Sequence, residues 1–239
     1  MHDPLQRLLH HRSATITPFN ASICHEPVEI ASGSVDGTVR RWNPDTGQQI
    51  GPTIETGSWV NAIKYSPQSD KIATGGDDSM IRVCSKDGKL LIEIKGHNNS
   101  VHSLCWSKDG AHIFSGSEDG TIRKWQLIDG KEVFVLRGHT HPVTSICVSL
   151  DECHLVSASA DCSVPIWNLE TNLQVGNPLL HDDELSTVVI CSDGRYIASA
   201  GLDTKIYIWG LEAALQHPGD EVRAHIAISL ARSLIGFVL

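Results

Sequence analysis

Short runs of alternating apolar and polar residues fill most of this chain. Four such runs are VNAIKYS, VHSLCWS, VTSICVS and LSTVVIC, and the turn signals PQSD, KDG and SDG follow three of them. Alternation with a period of two, bounded by turns, predicts half-buried β-strands. No apolar pattern with the 3.6-residue period of a helix is sustained within these segments. The pattern therefore predicts an all-β fold.

One motif recurs five times at a nearly constant interval. Its copies are ASGSVDGTVRRW, ATGGDDSMIRVC, FSGSEDGTIRKW, VSASADCSVPIW and ASAGLDTKIYIW, which end at positions 42, 84, 125, 167 and 209. An interval of 41 or 42 residues leaves room for about four short strands, which is the size of one blade of a β-propeller. A lone sheet of this kind cannot bury both of its faces, so we expect the repeats to stack.

Four residue types keep fixed places relative to the end of the motif. Trp is the last residue in four copies, Asp lies six residues before the end in all five, and Ser or Thr lies ten before it in all five. His lies 28 residues before the end in three copies. The residues are Asp36, Asp78, Asp119, Asp161 and Asp203; Ser32, Thr74, Ser115, Ser157 and Ser199; His97, His139 and His181; and Trp42, Trp125, Trp167 and Trp209. Over roughly residues 14–215, this set resembles the signature of the WD-repeat family.

The resemblance implies an all-β, WD-repeat β-propeller with five recognisable blades, in a ring that is either closed or left open. The repeats would occupy approximately residues 14–55, 56–96, 97–138, 139–180 and 181–215, between an N-terminal segment, 1–13, and an atypical C-terminal tail, 216–239. It also implies a side-chain network within each blade, which satisfies groups that would otherwise be buried unpaired. In it Asp accepts from the His ring, His bonds the Ser hydroxyl, and that hydroxyl bonds the Trp indole N–H. The complete sets are His97, Ser115, Asp119 and Trp125; His139, Ser157, Asp161 and Trp167; and His181, Ser199, Asp203 and Trp209.

Two copies depart from this pattern. The second has Thr56 where His is expected and Cys84 where Trp is expected, and the first has no aligned His. The departures predict that the second blade lacks the network and is the weakest of the inner blades.

The C-terminal tail breaks the repeat period. A sixth copy would begin near residue 223, but residues 216–239 contain no Trp and no turn triplet. We expect an open or loosely closed array in which the apolar stretch from Ala224 packs on a terminal blade, as a helix or an added strand. An open blade edge would favour self-association. Closure with five blades and a truncated array remain alternatives.

Charge and cysteine content limit the partners and the cellular location that the protein is expected to have. The net charge of −9 argues against nonspecific nucleic-acid binding and against a polybasic membrane anchor. The seven cysteines include no CxxC pair and the N-terminus lacks a signal-peptide core, which together favour the cytoplasm or nucleus. We expect no metal and no cofactor.

The combination of Ser, His and Asp raises the question of a hydrolase. The trio recurs three times at identical spacing, which catalysis does not require, and no GxSxG nucleophile elbow is present. We therefore expect no enzymatic activity, and keep a propeller enzyme with a site at the channel mouth as a less favoured alternative.

WD-repeat propellers usually bind peptides on the face that carries the loops and the turn before each Asp. The resemblance assigns eight candidate positions to this face: Trp59, Asn61, Asp77, His102, Glu118, Thr144, Glu184 and Leu202. Trp59 is either a binding anchor or a residue that packs over the second blade. The predicted function is a protein-interaction scaffold or adaptor whose partner is a basic segment, because the face is acidic. The alternative is a truncated array with no independent function.

Overall fold

The computed structural model describes residues 18–25, 28–216 and 224–226. They form twenty strands and one short helix: β1 (Pro18–His25), β2 (Val28–Ser34), β3 (Thr38–Trp42), β4 (Gln49–Glu55), β5 (Val60–Tyr65), β6 (Lys71–Gly76), β7 (Ile81–Ser85), β8 (Leu90–Ile94), β9 (Val101–Trp106), β10 (His112–Ser117), β11 (Thr121–Gln126), β12 (Glu132–Arg137), β13 (Val143–Val148), β14 (His154–Ser159), β15 (Ser163–Asn168), β16 (Leu173–Leu180), β17 (Leu185–Ile190), β18 (Tyr196–Gly201), β19 (Ile206–Gly210), α1 (Leu211–Gln216) and β20 (Ala224–Ile226).

The strands form five antiparallel sheets of four, and within each sheet the strands lie in chain order. The first sheet is β1–β4, and the second to fifth are β5–β8, β9–β12, β13–β16 and β17–β20. The prediction of an all-β fold built from five blade-like repeats is confirmed.

The outer strand of the fifth sheet, β20, lies within residues 216–239, which the sequence predicted to be an atypical tail. Strand β20 pairs with β19, with Ile226 opposite Ile206. Residues 217–223 and 227–239 lie outside the described residues, as does the N-terminal segment 1–13. Within the described residues, the segment predicted to be a tail contributes one strand, Ala224–Ile226, to the fifth sheet, and the packing of the rest of the apolar stretch stays a prediction.

The core lies between neighbouring sheets, in four clusters of buried apolar side chains. Between the second and third sheets, for example, Ala73 and Ile81 pack with Leu104 and Ile113. The first strands of successive sheets are in contact, β1 with β5, β5 with β9, β9 with β13 and β13 with β17. Among the described strands no comparable contact joins β17 to β1.

Serine side chains on these first strands also accept hydrogen bonds from backbone amides of the next sheet. The hydroxyl of Ser22 accepts from the amide of Tyr65 at 3.2 Å, and the hydroxyl of Ser103 accepts from the amide of Ile146 at 3.0 Å. Each bond spans 43 residues, about one repeat, so the sheets are joined by polar contacts as well as by apolar packing.

Candidate functional site

A buried side-chain network ties together the strands of the third sheet. Nδ1 of His97 lies 2.9 Å from Oδ2 of Asp119, and its Nε2 lies 2.7 Å from Oγ of Ser115. The indole N–H of Trp125 donates to the same Oγ at 2.7 Å. One proton arrangement satisfies every group: Asp119 accepts from Nδ1–H, Nε2 accepts from the Ser115 hydroxyl, and that hydroxyl accepts from Trp125.

The fourth and fifth sheets contain the same set of contacts. His139 lies 2.7 Å from both Asp161 and Ser157, and Trp167 donates to Ser157 at 2.9 Å. In the fifth sheet, His181 lies 3.2 Å from Asp203 and 2.7 Å from Ser199, which accepts from Trp209 at 2.8 Å.

The network shifts the titration of its carboxylates. Burial raises the pKa of Asp119, but hydrogen bonds from His97, Thr121 and the amide of Asn98 outweigh it and hold the pKa well below its usual range. The pKa of Asp161 is lowered in the same way by His139 and Ser163. These aspartates are therefore ionised acceptors at neutral pH.

The three serines of these sets are not arranged as nucleophiles. Ser115, Ser157 and Ser199 are fully buried, and each hydroxyl is bonded to both a His and a Trp. A hydroxyl that is enclosed and bonded on both sides has no room for a substrate.

The second sheet holds its turn differently. Thr56 lies 2.8 Å from the carbonyl oxygens of Gly37 and Ser58 rather than near Asp78. Asp78 instead accepts from the Arg82 guanidinium at 2.6 Å, and Arg82 also reaches Glu93 at 3.1 Å. In the first sheet, where no His aligns, Trp42 still donates to Ser32 at 2.9 Å.

Four backbone hydrogen bonds place the candidate binding positions at the same end of four sheets. The amide of Asp77 donates to the carbonyl of Trp59 at 3.1 Å. The equivalent bonds join Glu118 to Ser100 at 2.9 Å, Ala160 to Pro142 at 3.0 Å and Leu202 to Glu184 at 2.8 Å. The turn before each network Asp therefore always lies beside the loop that enters the inner strand.

The second and third sheets bring together four of the eight candidate residues and Ser100, a set that we name the Trp59 patch: Trp59, Asp77, Ser100, His102 and Glu118. Trp59 is 54% exposed, and Asp77 and Glu118 are exposed. The hydroxyl of Ser100 donates to Oδ1 of Asp77 at 2.7 Å across the junction of the two sheets. Nε2 of His102 lies 3.9 Å from Oε2 of Glu118. The patch thus combines one exposed aromatic residue with two exposed acidic residues.

Protonation of His102 is disfavoured. Burial lowers the pKa of His102, although the charges of Glu118 and Asp77 act in the opposite direction. His102 is therefore neutral at pH 7 and leaves the negative charge of the patch uncompensated.

The structure does not bring all eight predicted residues to this surface. Asn61 is buried, against the expectation that it faces a partner. The hydroxyl of Thr144 donates towards the carbonyls of Leu185 and Ala158, at 2.9 and 3.1 Å, so it is used within the fold. Glu184 and Leu202 are exposed but belong to the fifth sheet.

Sequence reasoning also missed a buried ion cluster between the first and second sheets. Glu29 is buried and pairs with Arg41 at 3.1 Å and with Lys86 of the next sheet at 2.5 Å. No motif marks it, because the other copies have uncharged or basic residues at the register of Glu29.

Across residues 18–25, 28–216 and 224–226, no group of three His, Cys, Asp or Glu side chains is placed to hold a metal ion. In that same part of the chain no helix has the length and apolarity needed to cross a membrane.

Comparison with known proteins adds named relatives. WD repeat domain-containing protein 83 of Rattus norvegicus is 36% identical over 104 residues, 42% of this chain and 32% of that protein. Target of rapamycin complex subunit LST8 of Bos taurus is 32% identical over 104 residues, 43% of this chain and 32% of that protein. Small ribosomal subunit protein RACK1y of Oryza sativa subsp. japonica is 32% identical over 105 residues, 41% of this chain and 31% of that protein. The matched stretch thus spans about a third of the length of each of these relatives.

The family comparison covers more of the chain. The model of the WD domain, G-beta repeat, matches residues 50–85, 88–126, 130–168 and 177–210, which together are more than half of the chain. These ranges cover the first three strands of the second, third, fourth and fifth sheets. The sheet architecture, the repeated polar network and this match agree, and the chain belongs to the WD-repeat family.

Proposed function

We propose that this chain is a non-catalytic protein-interaction scaffold or adaptor that binds a basic segment of a protein partner at the Trp59 patch. The observation that carries the proposal is the exposed side chain of Trp59 in a loop whose backbone bonds to Asp77, with Ser100 linking Asp77 to the loop that bonds to Glu118.

The chemistry of the patch suits a Lys or Arg side chain. A cation over an indole face gains about 0.5–2 kcal/mol, depending on how far it is desolvated. The carboxylates of Asp77 and Glu118 in the same patch can accept charge-assisted hydrogen bonds from a guanidinium. The net charge of −9 would speed the approach of such a segment.

The relatives support a role in assemblies. Two of them carry names that make them a subunit of the target of rapamycin complex and a protein of the small ribosomal subunit. By analogy we place this chain inside the cell, in the cytoplasm or nucleus, with protein rather than nucleic acid or membrane as its direct partner.

The test is a fluorescence anisotropy titration of the protein with a labelled arginine-rich peptide, alongside a peptide with Glu in place of Arg. We expect salt-sensitive binding of the basic peptide only. Trp59→Ala and Glu118→Lys should each weaken it about tenfold or more, the equivalent of 1.4 kcal/mol, with little change in melting temperature. Leu173→Ala, which removes another exposed apolar side chain on an outer strand, is the matched control and should bind normally.

Three results would contradict the proposal. Equal binding by wild type and both patch variants would place the site elsewhere. A large drop in melting temperature for Trp59→Ala would make Trp59 a packing residue. Absence of binding to either peptide would favour an array with no independent function.

A further inference from the structure

Neighbouring sheets meet through one type of interface, which is used four times. We call the side of a sheet that contacts the following sheet its leading face, and the side that contacts the preceding sheet its trailing face. A Cβ added to Gly75 would lie 2.6 Å from Cγ1 of Val101, and one added to Gly116 would lie 2.7 Å from Cγ1 of Val143. At the first three junctions a valine at the start of the trailing face therefore sits directly on a glycine of the leading face, and at the fourth junction Leu185 and Ala158, both buried, hold these two positions.

The leading face of the fifth sheet has the same apolar character but is less covered. Ala200 occupies the register of Gly75 and Gly116 and is partly exposed. Ile206 and Ile208 are also partly exposed, whereas their equivalents in the second and fourth sheets are fully buried: Ile81 and Val83, and Val164 and Ile166.

The trailing face of the first sheet is also more exposed than the trailing faces of the second and third sheets. Ile23 is 44% exposed, while Tyr65 and Trp106 at the same register of the second and third sheets are each 8% exposed. Trp42 is partly exposed, while Trp125 and Trp167 are buried. The chain thus carries one free half of its repeated interface at each end of the described array.

We propose that copies of this chain associate head to tail, with the leading face of the fifth sheet of one copy packed on the trailing face of the first sheet of the next. The argument is continuity: this contact would repeat an interface that the chain already forms four times internally. Because the two faces are different halves of one interface, the contact is heterologous rather than a two-fold symmetric one. Burial of the exposed apolar side chains drives the association.

Sedimentation velocity over a dilution series tests the proposal. Wild type should gain mass with concentration beyond the monomer. Ala200→Arg fills the space that the incoming trailing face needs, and Ile23→Arg places a charge on the other half, so each variant should remain a monomer. Ile128→Arg, at a turn position that is 85% exposed and belongs to neither face, should behave as wild type.

Mixing the two variants gives the sharpest result. The Ala200→Arg chain keeps an intact first sheet and the Ile23→Arg chain keeps an intact fifth sheet, so the mixture should form a heterodimer and nothing larger. A symmetric contact between like faces would not be rescued in this way. Hydrogen exchange of the wild type at low and high concentration provides a check that needs no variant, and should show concentration-dependent protection confined to β1 and β18–β19.

Three outcomes would overturn the proposal. One is a wild type that stays monomeric at every concentration, because its own ends close or another segment covers the faces. Another is association that survives in both variants. The third is a mixture of folded variants that stays monomeric although wild type associates.

Discussion

The second and third sheets have the same strand order and equivalent pairing, yet they secure their turns by different chemistry. Ile72 faces Cys84 in one sheet and Ile113 faces Trp125 in the other. In the third sheet, Asp119 is held by a buried His in addition to Arg123 at 3.5 Å, whereas in the second sheet Thr56 stands in place of the His and Asp78 is held by Arg82 near the surface. The comparison teaches that strand pairing and packing between sheets build the repeat, and that the network adds stability to a sheet that already has its topology.

The two arrangements should differ in strength. The Asp119 side chain is 7% exposed and the Asp78 side chain 29%. Hydrogen bonds to a buried charged group contribute about 1.5–3 kcal/mol, and exposed ion pairs typically about 0–1 kcal/mol. Our central claim is that the third sheet is locally more stable than the second.

The largest expected effect comes from removing the turn carboxylates one at a time. Asp119→Ala leaves His97, Thr121 and the amide of Asn98 without their acceptor, so we expect a loss of roughly 1–3 kcal/mol in the free energy of unfolding. Asp78→Ala should cost under about 1 kcal/mol, because its partners can turn to water. Urea denaturation of both variants measures the difference, and equal losses would refute the idea that the second sheet lacks an equivalent network.

The next largest effect on stability concerns the space between Gly96 and the Trp125 indole. A Cβ on Gly96 would lie 2.6 Å from Cη2 of Trp125, and a rigid ring cannot move aside easily. Overpacking costs about 1–3 kcal/mol, and the lower entropy of the unfolded chain offsets about 0.4–1 kcal/mol of this, so Gly96→Ala should destabilise by about 1 kcal/mol. Glu55, the last residue of β4 in the first sheet, precedes Cys84 by the same number of residues as Gly96 precedes Trp125, and Cys84 has no ring. Glu55→Ala should be nearly neutral in thermal unfolding, and a similar loss from both variants would argue against the ring as the cause.

A smaller effect on the free energy of unfolding should appear at acidic pH. A carboxylate whose pKa is lowered by folding stabilises the native state above its unfolded pKa, about 3.9, and this contribution is lost as the pH falls through the folded value. Because the pKa of Asp119 is lowered, wild type should lose stability more steeply below about pH 4 than Asp119→Asn does. Ser115→Ala weakens the network but keeps the carboxylate, so it should retain the wild-type slope. Parallel pH profiles for wild type and Asp119→Asn would contradict this assignment.

Much of the fold was predictable because it depends on short-range patterns. The 42-residue period and the two-residue alternation predicted the five repeats, and the family resemblance supplied the partners of His97, His139 and His181. Features that depend on contacts between repeats were not predictable. The pairing of Glu29 with Lys86 joins residues that no sequence pattern relates, and the buried Asn61 lies at an irregularity in the β5–β6 pairing that the alternating pattern does not reveal. Strand β20 has only three residues and no copy of the repeated motif beside it.

The replacement of the His by Thr56 was visible in the sequence, but its consequence was not. Arg82 pairs with Asp78 and Glu93 in the same way that Arg123 pairs with Asp119 and Glu132, but the Arg82–Asp78 contact is shorter, at 2.6 Å against 3.5 Å. The Trp59 patch was predictable only in part, since Ser100 links it from the third sheet by a hydrogen bond that the alignment does not reveal.

Native-state hydrogen exchange tests the central claim most directly, because it reports the local opening free energy of each strand in the unmodified protein. The amides to compare are those of β6 and β7 in the second sheet with those of β10 and β11 in the third, which have equivalent pairing. We predict slower exchange, and so a higher opening free energy, for β10 and β11. Equal protection in the two sheets, or greater protection of β6 and β7, would contradict the account.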